Sequence, residues 1–149
     1  MGGEKVKTPL LFNLKERKFE EVYLKSMLFE ALSLEIDGDL EEAFEHYLGV
    51  ATRCEREGDL LGAAVAYAGA AECARELGSI DKSKELYRKA AKLILILAQS
   101  NGRPPDRVAK LLRRAALYFM YGEDYLMAER ALAAARLLEG GNVEGSASH

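Results

Sequence analysis

One spacing constrains this chain more than any other. Gly38, Gly58 and Gly78 stand 20 residues apart, and so do Tyr47, Tyr67 and Tyr87. Ala43, Ala63 and Ser83 lie five residues after each glycine, and Val50, Ala70 and Ala90 three after each tyrosine. A fixed period of this length is the mark of stacked supersecondary units. Glycine tolerates the left-handed conformation that closes a helix, and the Asp39, Asp59 or Ser79 that follows can satisfy the free amides of the next one. A small residue, a tyrosine four later and a small residue three later share one helical face. The small positions let a neighbouring helix approach, and the ring fills the space beside them. About 18 helical residues and a two-residue turn make each pair of neighbours antiparallel.

Composition agrees with helices throughout. Of 149 residues, 22 are Ala and 23 Leu, while Val, Ile and Thr together number 12, too few for a β-rich fold. The pattern predicts six helices, over 18–36, 39–57, 59–77, 79–99, 105–121 and 123–139. The Pro104–Pro105 pair forces the break before the fifth, and Gly122 is expected to cap its end. Residues 1–17 read as an N-terminal tail, 18–139 as the helical domain and 140–149 as a flexible C-terminal tail.

Gly38-Asp39-Leu40-Glu41-Glu42-Ala43, followed by Tyr47 and Val50, resembles the second helix of a tetratricopeptide repeat, and Gly122 to Ala128 with Leu132 and Ala135 resembles it again. The longer units and the paired alanines Ala70-Ala71, Ala90-Ala91 and Ala115-Ala116 look most like the helices of soluble NSF attachment proteins. The resemblance spans about residues 18–139. It departs from the standard repeat in using about 40 residues per hairpin instead of 34 and in lacking a proline after Glu57. It implies an all-α fold of three antiparallel hairpins stacked as a short right-handed superhelix. It also implies a protein-interaction scaffold with no catalytic residues to carry over.

Two segments are too apolar for a single buried stripe. Leu60 to Ala71 carries no charge, which places this helix at the centre of the stack; a groove floor of small residues is the other reading. Leu93-Ile94-Leu95-Ile96-Leu97 exceeds one helical face, so either the last hairpin covers it or Leu93, Leu95 and Ile96 form an oligomer patch. The N-terminal Thr8 to Leu14 either packs back on the first hairpin or docks into a partner.

The net charge of −3 is a cancellation. Residues 30–59 carry ten acids and two bases, and residues 82–114 carry ten bases and two acids. Such polarity governs encounter and partner choice more than fold. On the fifth helix Arg107, Lys110, Arg114 and Tyr121 recur at helical spacing. They are either a solvated face or, by analogy with tetratricopeptide grooves, a clamp for an acidic peptide. The acidic half weighs against a nucleic-acid partner. Head-to-tail or patch-mediated homo-oligomers are the alternative.

No catalytic triad, phosphate loop, dinucleotide fingerprint or metal-ligand cluster is present, so no enzyme activity and no cofactor are expected. His46 beside Glu42 reads as a solvated side chain. Cys54 and Cys73 read as two buried thiols in a reducing compartment. No apolar run approaches the roughly 20 residues of a membrane span, and Met1 to Val6 has no apolar core after a basic start. The expected location is cytoplasmic.

Overall fold

The computed structural model describes residues 25–100 and 102–147, with side chains to residue 140. These residues form six helices and no strand. They are α1 (25–36), α2 (Leu40–Arg56), α3 (Leu60–Glu76), α4 (Ile80–Ala98), α5 (Pro105–Tyr121) and α6 (Tyr125–Ala147). From α2 onward each helix packs on the next, giving a stack of antiparallel hairpins. The expected tail 1–17, the Thr8–Leu14 segment and the start of the first helix lie outside the described residues.

The turns show why the period is 20. Gly38, Gly58 and Gly78 have φ of 86°, 81° and 85°, the left-handed closure their spacing predicts. Behind each, an amide reaches back to the preceding helix: Asp39 to the Leu34 carbonyl, Asp59 to Cys54 and Ser79 to Ala74, at 2.8–2.9 Å. Only Asp59 among these three also caps the next helix with its side chain, which accepts from the Gly62 amide at 2.9 Å. Asp39 and Ser79 do not make the expected cap.

The phased residues are the core. Ala43, Ala63 and Ser83, then Val50, Ala70 and Ala90, are all buried. Ala51, Ala71 and Ala91 form a further buried phase. Each tyrosine ties three consecutive helices together. Tyr47 on α2 donates to Glu35 Oε1 on α1 at 2.9 Å, and its ring lies against the bare backbone of Gly69 on α3. Tyr67 on α3 donates to Glu55 Oε1 on α2 at 2.7 Å, with the Lys89 ammonium of α4 4.7 Å from its ring centre. Tyr87 on α4 donates to Glu72 Oε2 on α3 at 2.8 Å and meets Tyr118 and Tyr121 of α5. Glu35 and Glu55 are themselves 20 apart. Arg75 holds the next place in that phase, so Tyr87 turns to Glu72, one helical turn earlier, which Arg75 also grips.

Two expectations at the C-terminal hairpin need correction. Gly122 has φ −81°, and it is Glu123, at φ 57°, that adopts the left-handed closure. Gly122 serves close approach instead, since a Cβ there would stand 2.6 Å from Arg88 Cγ and 3.0 Å from the Lys84 carbonyl. Counting from Glu123, the buried Ala135 falls in the same place as Val50, Ala70 and Ala90. The last helix also continues to Ala147, past the expected end at 139. Gly140 and Gly141 weaken a helix by about 1 kcal/mol each relative to Ala, but they do not forbid it.

Candidate functional site

Pro105 occupies the first turn of α5, where its missing amide costs nothing. The helix then alternates two kinds of face. Ala109, Ala115, Ala116 and Phe119 turn inward, which leaves Arg107, Lys110 and Arg114, spaced three and four apart, on one outer flank. These three, with Arg103 from the preceding turn, line a cleft of about 550 Å³. Its other walls are Leu61 and Val65 of α3, Leu97 of α4 and Leu111 of α5. The cleft therefore lies between α3 and α5, which are both first helices of their hairpins.

The electrostatics are one-sided. No carboxylate lines the cleft, and among the described residues none of its four cations makes an ion pair or hydrogen bond. Arg113, next to Arg114 in sequence, faces another way and is bound to Glu139 of α6 by a forked hydrogen bond. Lys84 is paired with Glu123 at 2.6 Å and Lys89 with Glu55 at 3.7 Å. Lys84, Lys89 and Arg113 thus have acidic partners, while among the described residues the four cations of the cleft have none. Exposed ion pairs are each worth only about 0.2–1 kcal/mol. The cluster can select the sign of a ligand and speed its arrival, while affinity must come from the apolar floor.

Three of the four site residues read from the sequence, Arg107, Lys110 and Arg114, come together here. Tyr121 does not. It lies 14 residues after Arg107, about 21 Å along the helix, and packs on Tyr87 with ring centres 5.2 Å apart. Arg103 was missed because it precedes the helix, and Leu61, Val65 and Leu97 because only folding brings them opposite α5. The helix α3, uncharged from Leu60 to Ala71, is central, with α2 on one side and α4 on the other, yet Leu61 and Val65 also give it a share of the cleft.

The proposed oligomer patch breaks up in the same way. Leu93 is only 7% exposed and belongs to the core, Leu95 is half-buried against it, and Ile96 is 53% exposed. The three are spread round α4 and make no common surface. Cys54 and Cys73 are both buried and unpaired. Burial pushes their thiols up to about 11 and about 12. Burial, and next the bond to a carboxylate, also raises the phenols of Tyr47, Tyr67 and Tyr87. Among the described residues no three His, Cys, Asp or Glu side chains converge as a metal site, and no helix is long and apolar enough to cross a membrane. Comparison with protein-family models, with curated proteins and with solved structures yielded no match in any of the three.

Proposed function

We propose that this chain is a non-catalytic protein-interaction module in the tetratricopeptide style, whose α3–α5 cleft holds a short acidic segment of a partner protein. The observation that carries this reading is the set of four cations, Arg103, Arg107, Lys110 and Arg114, without an acidic partner among the described residues, around the apolar floor of Leu61, Val65, Leu97 and Leu111. Along α5 the charges recur about every 5 Å. An extended peptide brings alternate side chains to one side about every 6.6 Å. A segment alternating acidic and aliphatic residues would set carboxylates on the α5 rim and apolar groups on the floor. The proposed setting is the cytoplasm, where the buried thiols would stay reduced.

Fluorescence anisotropy with a labelled peptide of alternating Glu and Leu tests this. Binding should weaken steeply with salt and fall at least tenfold in Arg107→Glu/Arg114→Glu, with helical circular dichroism unchanged. A Gln/Leu peptide should bind far more weakly. Equal binding of the Gln peptide, or preference for single-stranded nucleic acid over the acidic peptide, would refute the proposal.

A further inference from the structure

The first described helix has two apolar faces. Met27, Leu28, Ala31 and Leu34 of α1 belong to the core or pack against it. Phe29, Leu32 and Ile36, spaced three and four apart, form a second stripe on the outer side and are 70%, 45% and 75% exposed. Phe29 stands 40 residues, two periods, before Gly69, the place where α3 receives the Tyr47 ring of the helix before it. The stripe thus lies on the side from which a preceding element would come, and no helix precedes α1 among the described residues.

The sequence upstream contains an apolar segment in the right phase. Leu11 stands 20 residues before Ala31 and shares the buried phase of Ala51, Ala71 and Ala91. Leu14 stands 20 before Leu34, in phase with the buried Cys54, Ala74 and Ile94. The contact pattern of the stack therefore runs on into residues 8–14. Charge agrees with it: residues 5–18 carry five bases and one acid, while residues 30–45 carry seven acids and no base.

We propose that residues 8–14 fold back over the stripe of Phe29, Leu32 and Ile36 and close this end of the stack. Seven extended residues reach about 23 Å, and the stripe is about 10 Å long, so the segment spans it in full. The bases that flank the segment then lie near the acidic run 30–45. The cover is tethered, since residues 15–24 alone separate it from α1, and a short tether gives an effective concentration in the millimolar range. A small apolar face suffices for such an intramolecular contact, where it would not hold a separate partner.

Hydrogen–deuterium exchange of the full chain, read by mass spectrometry, is the test. Amides of residues 10–14 should exchange well below the rate of an unfolded chain, equally at low and high protein concentration. Leu11→Asp/Leu14→Asp should speed exchange within α1 by about tenfold or more, while α4 and α5 keep their protection. The reciprocal Phe29→Asp/Ile36→Asp, at exposed positions outside the core, should free residues 10–14 to a similar degree. Exchange of residues 10–14 at the unfolded rate in the native chain overturns the proposal, as does an α1 indifferent to Leu11→Asp/Leu14→Asp. Protection that fades on dilution also overturns it, since a second copy then covers the stripe.

Discussion

Replacing glycine by alanine in the middle of a helix normally stabilises it, by about 1 kcal/mol. At Gly69 the sign should reverse. An added Cβ would stand 2.5 Å from Cε1 and 2.6 Å from Cδ1 of the Tyr47 ring, well inside contact distance. That ring is not the free end of a flexible chain, because its hydroxyl is held by Glu35 at 2.9 Å. Either α2 and α3 move apart or the ring swings out. Overpacking of this kind costs about 1–3 kcal/mol, and loss of a hydrogen bond to a charged acceptor about 1.5–3 kcal/mol. With the propensity gain subtracted, Gly69→Ala should destabilise by about 0.5–2 kcal/mol. For a chain of this length that lowers the melting temperature by roughly 2–4 °C per kcal/mol. Gly49, in the interior of α2 with nothing within 4 Å of its virtual Cβ, is the internal control. Gly49→Ala should stabilise by about 0.5–1 kcal/mol. Urea denaturation followed by circular dichroism reads both, and a Tyr47→Leu background should remove most of the Gly69→Ala penalty. The packing of the Tyr47 ring on Gly69 does not decide stability if Gly69→Ala is as stable as the native protein, or if its penalty is unchanged in the absence of that ring.

Four other outcomes follow from contacts in the structure. Glu123→Gly should stabilise by about 0.5–1 kcal/mol in thermal melts: relief of a left-handed non-glycine residue, worth about 1–2 kcal/mol, exceeds loss of the exposed Lys84 pair. Gly122→Ala should do the opposite, because its Cβ meets the Lys84 backbone. The hydrogen bond from Arg75, aided by that from Tyr87, holds the Glu72 carboxyl below its ordinary range. Its contribution is therefore present above the usual carboxylate pKa and disappears as the pH falls through the lowered value. Glu72→Gln should melt below the native protein at neutral pH, with the gap closing in acid. Cys54 and Cys73, with thiols pushed up to about 11 and about 12, should resist a disulfide reagent at neutral pH in the native state and react promptly in denaturant.

The fold was legible because every phased residue has one physical job, and that job recurs at each junction. A left-handed turn, a small contact residue and a filling ring each restrict the residue type so tightly that the 20-residue period survives in one chain. Even the exceptions have contacts of their own: with Arg75 in the place of Glu35 and Glu55, Tyr87 bonds to Glu72, and Gly122, no longer the left-handed residue, lets Arg88 pack close. The cleft was half legible. The cationic edge of α5 is local, so spacings of three and four reveal Arg107, Lys110 and Arg114. The α3 wall is tertiary, and no local pattern separates Leu61 and Val65 from the buried Ala63 and Ala64 between them. Extrapolating the face to Tyr121 failed because a helix face runs past the end of a groove. An apolar run such as 93–97 cannot be sorted into core and surface from its own residues, since its neighbours decide which side is covered.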